Sequence, residues 1–129
     1  MIAFIIRGDA VPARMRTKTF NGKSWGYESP NSANYRRAIQ AAAQQYAPTH
    51  LLTGPLSFTM REFRRRPKSL PKKERYPTKR PDLTNLTKGI EDTLTGIFWH
   101  DDAQIVEKHE WKRFGDPPRV EIEIEELTG

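Results

Sequence analysis

Apolar side chains recur along this chain with two different periods, and those periods divide it into strands and helices. Ile2-Ala3-Phe4-Ile5-Ile6 is a run of β-branched and aromatic residues halted by Gly8, which predicts a buried strand. From Ser32 to Ala47 the spacing is helical: Tyr35, Ala38, Ile39, Ala42 and Tyr46 line one face, Ser29 or Ser32 caps the start, and Pro48 ends it. Leu56, Phe58 and Met60 then alternate with Ser57, Thr59 and Arg61, a second strand with one buried face. Asp82 to Thr95 predicts a second helix. Leu83, Leu86, Ile90 and Leu94 fall on a narrow arc, Asp82, Asn85, Lys88 and Asp92 lie opposite, and Gly96 is the stop. Ile105 to Trp111 suggests a third strand. Val120, Ile122 and Ile124, alternating with Glu121, Glu123 and Glu125, form the clearest strand pattern of all.

The resulting order, strand-helix-strand-helix-strand-strand, predicts an α+β fold: one small mixed or antiparallel sheet carrying two main helices. Nothing marks a domain boundary or an internal repeat, so a single domain over residues 1–129 is expected. Two stretches lack either period. Asp9 to Pro30 holds Pro12, Gly22, Gly26 and Pro30 among Arg14, Arg16, Lys18 and Lys23, and reads as a basic loop with room for a short hairpin at Asn21-Gly22. Arg61 to Arg80 contains ten Lys or Arg and three prolines, too polar to pack, and is expected to be an extended or mobile loop.

Composition narrows the function. The absence of cysteine excludes thiol catalysis, cysteine-based zinc sites and disulfides. Lys and Arg total 22 against 16 acids, a net charge of +6, which favours an anionic partner, nucleic acid before membrane surface. The longest apolar run, Ile2 to Ile6, is far shorter than the roughly 20 residues of a spanning helix and has no signal-peptide flanks. A soluble cytoplasmic protein with no membrane partner is therefore expected. Glu62 and Glu74 are the only acids between Arg61 and Arg80, so the positive field there is not cancelled locally. Arg14, Arg16, Lys18, Arg64, Arg65, Arg66, Lys79 and Arg80 are the candidate phosphate contacts. Among the aromatic residues, Phe98 and Trp99 fit core packing. Phe63 and Tyr76, flanking the basic loop, are better placed than Phe20, Trp25 and Tyr27 to stack on unpaired bases. His50, His100 and His109 show no metal-ligand spacing.

Chemistry concentrates in Asp82, Asn85 and Lys88, followed by Asp101 and Asp102. Phosphodiester hydrolysis needs hard oxygen ligands for magnesium and a cation to share the charge of the transition state. Asp82, Asp102 and Lys88 can supply that set if the chain turns back after Gly96 and brings one aspartate beside Asp82. The plainer reading makes Asp82 a helix-starting acid favoured by the macrodipole, and Asp101-Asp102 a turn. Spacing alone favours the plainer reading.

One longer constellation shifts the balance. Arg80-Pro-Asp82-Leu-Thr-Asn85-Leu-Thr-Lys88, then Glu91-Asp92-Thr-Leu94, then Phe98-Trp99-His-Asp101-Asp102-Ala-Gln104-Ile-Val106, closely resembles the RusA family of Holliday junction resolvases in order, spacing and chemistry. The match is strong over Arg80 to Val106 and thinner over the rest, where a hydrophobic strand leads through Val11-Pro12 into a basic loop. The resemblance implies a homodimer of bacterial or phage origin that resolves four-way DNA junctions by paired nicks in recombination and repair. It implies Mg2+, with Mn2+ as an alternative, as cofactor. The family's catalytic aspartates fall on Asp82 and Asp102, its lysine on Lys88, its motif asparagine on Asn85 and its later helix acid on Asp92. Its second motif aspartate falls on Thr84, a neutral residue. Glu91, two turns after Thr84, and Asp101 are the candidates to replace it as metal ligands. If neither does, the chain is a catalytically weakened junction-binding protein. An RNA-binding protein using the same positive surface would leave the matched aspartates and lysine unexplained.

Overall fold

The computed structural model describes residues 1–128. Strands β1 (Ile2–Arg7), β4 (Leu56–Arg64), β5 (Ile105–Phe114) and β6 (Arg119–Glu126) form one sheet in the order β1-β6-β4-β5. Strand β6 pairs antiparallel with both β1 and β4, while β4 and β5 are parallel, so the sheet is mixed. Helices α1 (Pro30–Gln44) and α2 (Leu83–Leu94) fit the predicted order, and the α+β expectation holds. Strands β2 (Met15–Phe20) and β3 (Lys23–Glu28) pair separately as a hairpin. Among the described residues no helix is long and apolar enough to cross a membrane.

The strand periodicity places the core on one face of the sheet. Phe4 and Ile6, Leu56, Phe58 and Met60, and Val120, Ile122 and Ile124 are all buried there beneath Tyr35, Ile39 and Ala43 of α1 and Leu86, Ile90 and Leu94 of α2. Phe98 and Trp99, from the turn after α2, complete the core as expected. The Trp99 ring meets Phe58 edge-on at 5.9 Å, and its indole N–H donates to Thr95 Oγ1 at 3.0 Å. That bond allows so large a polar-tipped ring to be buried completely. The opposite sheet face is charged, with Arg61 2.9 Å from Glu123.

Several boundaries move. Helix α1 starts at Pro30 because Ser29 caps it, accepting from the Ser32 amide, and proline suits the first helical position. Its buried stripe is Ser32, Tyr35, Ile39 and Ala43, whereas Ala38 is exposed and Tyr46 lies beyond the helix with its ring stacked on Phe4 at 5.9 Å. Alanine is too small to report which face it occupies. Strand β4 runs on to Arg64, taking four residues from the predicted loop, because β5 and β6 extend beside it. The hairpin is longer than expected, with six paired positions across the Asn21-Gly22 turn, where both residues have positive φ, 51° and 75°. Neither of its faces packs on the core, so no hydrophobic alternation announced its strands.

Strand β6 is the keystone of the sheet, and truncation inside it should be costly. Ile122→Ala should lower unfolding free energy by ~2–5 kcal/mol, read as a lower urea midpoint at unchanged slope. A loss below ~1 kcal/mol would show that the core does not close on β6.

Candidate active site

The path to Asp82 starts inside the sheet. Glu62 has the same parity as Leu56, Phe58 and Met60, so the extended β4 points it inward, and it is buried. Its partner lies two residues on, on the same face: Arg64 Nε donates to the Glu62 carboxylate at 2.8 and 3.1 Å. The other side of the guanidinium reaches three successive carbonyls, Lys79 at 3.0 Å, Arg80 at 3.2 Å and Pro81 at 3.1 Å. Lys112 Nζ adds bonds to the Lys79 and Pro81 carbonyls at 3.1 and 3.4 Å. The long basic loop is thereby pinned at its far end, one residue before Asp82. Burial first, and then the negative field of Glu62, push the Tyr35 hydroxyl well above the ordinary phenol range.

Asp82 is the N-cap residue of α2, but its side chain makes no capping hydrogen bond. An acid at that position normally accepts from an amide of the first turn, so this carboxylate is left free as well as exposed. It opens into a cleft of about 330 Å³ lined by Pro12, Arg14, Arg80, Pro81, Asp82 and Asn85. Arg14 reaches the cleft because the segment before it lies flat on α2 at Gly89, where a Cβ would stand 3.3 Å from the Ala13 Cβ and amide nitrogen. The Arg14 backbone is then fixed at the start of α1: its N–H donates to Ser32 Oγ at 3.1 Å and its carbonyl accepts from the Ser29 amide at 2.8 Å. Lys88 is exposed one turn beyond Asn85 on the same side of the helix, and Thr84 is exposed in the first turn. Asp92, also exposed, lines a different cavity with Glu28 and Arg36.

Asp101 and Asp102 sit elsewhere. After α2 the chain folds tightly, Gly96 N–H donating to the Trp99 carbonyl at 2.7 Å, and enters a single 3-10 turn over Asp102–Gln104. Asp101 caps this turn by accepting from the Ala103 amide at 2.9 Å. The Ala103 amide first, and then a hydrogen bond shared with Asp102, hold the Asp101 carboxyl below the usual range. Gln104 closes the box: its Oε1 accepts from the His100 and Asp101 amides, and its Nε2 donates to the Leu52 and Gly54 carbonyls. Asp102 is exposed. This turn lies at the C-terminal end of α2 and Asp82 at the other, and the 12 residues of α2 span roughly 18 Å at 1.5 Å each. Strand β5 confirms the direction, since Lys108 near its start meets Glu91 at 2.6 Å while Lys112 near its end reaches Pro81. The return of the chain after Gly96 therefore does not bring Asp102 to Asp82 within one copy. Among the described residues no three His, Asp or Glu side chains are grouped to hold a metal ion.

Other candidates are redistributed. Glu91 is buried on the sheet-facing side of α2 with Lys108 2.6 Å from its carboxylate, while Thr84 in the first turn is exposed. Arg64 is spent on Glu62 and the loop carbonyls, and Arg66 on the Glu74 and Pro71 carbonyls beneath the Phe114 ring. Both guanidinium groups are half-buried and engaged on carbonyls of the loop. Arg14, Arg16, Lys18, Arg65, Lys79 and Arg80 are exposed, Arg65 standing 3.4 Å from Asp116. Phe63 packs edge-on to Trp111 at 5.3 Å with Arg119 over its face, so it is not free to stack, whereas Tyr76 is exposed beside Arg113. Sequence reasoning missed the Glu62–Arg64 clamp and the structural role of Gln104. Both had a signal: the parity of Glu62 with the apolar positions of β4, and the Asp101-x-x-Gln104 spacing of a capping box.

Comparison with known proteins gives a consistent result. The family model described as endodeoxyribonuclease RusA matches residues 9–125. A Bacillus subtilis (strain 168) protein named YqaN is 32% identical over 98% of this chain and 97% of its own length. A Lactococcus phage r1t protein named crossover junction endodeoxyribonuclease rusA is 30% identical over 85% of this chain and 84% of its own length.

The clamp makes a stability prediction of its own. Arg64→Met leaves Glu62 buried without its partner and should cost ~3–5 kcal/mol in urea unfolding. Glu62→Met combined with Arg64→Met should regain most of that loss. A single-variant cost near ~0.5 kcal/mol, the level of an exposed pair, would remove the clamp from the account of the site.

Proposed function

The chain belongs to the RusA endodeoxyribonuclease family, and from that membership we propose that it is a divalent-metal-dependent nuclease that resolves four-way DNA junctions as a homodimer. The observation that carries the proposal is the uncapped Asp82 carboxylate opening into a cleft rimmed by Arg14 and Arg80. A carboxylate between two cations, with an amide at Asn85, suits a phosphodiester: the guanidinium groups hold phosphate oxygens and the acid is left for a hard metal. The name of the phage relative supports the choice of branched DNA.

The donor set fits Mg2+, or Mn2+, with one condition. Such an ion takes one or two carboxylates, with water and substrate oxygens completing its shell. Asp82 and Asp102, the positions that match the family's catalytic aspartates, are both exposed and stand at opposite ends of α2. One ion held by both must take Asp82 from one copy and Asp102 of the partner subunit. A twofold dimer then has two such sites, as the symmetric cutting of two strands requires. Bound there, the metal would supply Lewis-acid polarisation of the scissile phosphate and a more acidic water. Lys88, one turn from Asn85, stabilises the charge gathering on the phosphoryl oxygens. Arg14 and Arg80 orient the strand. Water adds at phosphorus as the bond to the 3′ oxygen breaks, leaving a 5′-phosphate and a 3′-hydroxyl. Asp101 keeps the turn that presents Asp102, and Asp92 stands apart from the reacting phosphate. Recombination and repair are the processes in which such a cut is used.

A second reading has one specific observation behind it. Thr84 is neutral and exposed in the first turn of α2 where the family motif carries an aspartate, which favours a junction-binding protein with weakened cutting.

The test is cleavage of a labelled four-way junction with and without Mg2+. Wild type should make paired nicks. Asp82→Asn and Asp102→Asn should each abolish them with binding retained, and Lys88→Ala should slow them by ~10²–10³-fold. Mixing the two aspartate variants should restore nicking at one site per mixed dimer, because one site then holds both intact carboxylates. A mixture as inactive as its components would overturn the shared site. Binding without nicks in wild type, with nicking gained in Thr84→Asp, would establish the second reading.

A further inference from the structure

The β2–β3 hairpin has a property that appears only once its register is known. The paired positions Arg16–Tyr27, Lys18–Trp25 and Phe20–Lys23 put three cations and three aromatic rings on one face. The alternate pairs Met15–Glu28, Thr17–Gly26 and Thr19–Ser24 put the hairpin's only acid and its threonine and serine hydroxyls on the other. Side chains alternate across a strand, so this sorting is complete. Phe20 is 68% and Trp25 48% exposed, a large apolar area left in water that no part of the core uses. Among the described residues none of the three cations forms a salt bridge, and Lys18 lies 5.0 Å from the centre of the Tyr27 ring.

The arm is loose at its tip and fixed at its foot. Neither strand packs substantially on another helix or strand. At the foot, the Arg14 backbone bonds Ser29 and Ser32, and Glu28 accepts from Arg36 Nε at 3.0 Å and from Ser32 Oγ at 3.1 Å. Arg14 also lines the Asp82 cleft. The arm therefore leaves the rim of the cleft and is about 20 Å long, six residues at 3.3 Å each.

We propose that this face is a binding site for unpaired DNA, with Phe20, Trp25 and Tyr27 stacking on bases and Arg16, Lys18 and Lys23 holding the intervening phosphates. Rings alone would equally suit a second copy of the chain; rings interleaved with unpaired cations, on a face without an acid, match a polyanion that carries flat apolar groups. The inference rests on the branched-DNA reading for its substrate, because a crossover held open, or melted at its centre, exposes base faces that a continuous duplex keeps stacked. It supplies a selectivity that phosphate contacts alone lack, since these grip every DNA alike.

The test uses binding in Mg2+-free buffer and is independent of cutting. Oligothymidine should quench the fluorescence of exposed Trp25, and Trp25→Phe should bind as well without that quench. Phe20→Ser with Trp25→Ser, both at solvated positions, should weaken oligothymidine and junction binding by roughly 10-fold or more per ring and leave duplex binding nearly unchanged. Lys18→Gln with Lys23→Gln should reduce the salt dependence on all DNAs. Equal losses on duplex and single strand, or a loss of dimer in sedimentation with DNA binding kept, would overturn the proposal, the latter by assigning the face to a second copy. If wild type cuts no junction yet the quench and its selectivity persist, the nuclease reading fails and the arm stands.

Discussion

A carboxylate buried in the helix-facing side of the sheet has to be answered by a cation, and in this protein the answer organises the site. Glu62 stands in line with the apolar residues of β4, where an unpaired charge would cost several kcal/mol. Arg64 neutralises it from two residues away on the same strand, using one edge of its guanidinium. The remaining donors bond three consecutive carbonyls at the end of the basic loop. A planar fork of five donors can do both at once, which the ammonium of a lysine could not. The interaction contributes geometry more than net stability. It fixes where a long, proline-rich segment stops and α2 begins, and hence the position of Asp82.

Helix α2 then acts as a spacer. Its apolar stripe, Leu86, Ile90 and Leu94, locks it to the core, while its two ends present the acids of the motif in different places. At one end the Asp82 side chain caps nothing and is exposed; at the other, Gln104 bonds the His100 and Asp101 amides and the Leu52 and Gly54 carbonyls, the Asp101 carboxylate accepts from the Ala103 amide, and Asp102 is exposed. A motif continuous in sequence is thus divided in space by the rigidity of the helix between its halves. That division is the observation on which the proposed sharing of a site between two copies rests.

The positive charge is likewise sorted by the fold. Arg64 and Arg66 are engaged on carbonyls of the loop, whereas Arg14 and Arg80 stay at the cleft and Arg16, Lys18 and Lys23 ride on the hairpin. The distinction lies in whether each cationic group finds a backbone oxygen within reach, a matter of tertiary distance.

The sequence by itself determined the α+β class, the two helices, the apolar faces of β4, α2 and β6, and the residues of the motif from Arg80 to Val106. Each of these is carried by local periodicity or local spacing, which survive without knowledge of the fold. The capping box at Asp101 and Gln104 was equally local and could have been read. Only the tertiary structure decided that β4 continues far enough to bury Glu62, because a strand's length depends on its neighbours. It decided that Glu91 is buried against Lys108, and that Phe63 is packed while Phe20 and Trp25 are free. Above all it decided that Asp82 and Asp102 lie at opposite ends of α2. Separation along the chain does not give distance in space until the elements between are known to be straight, and in this protein the element between is a helix.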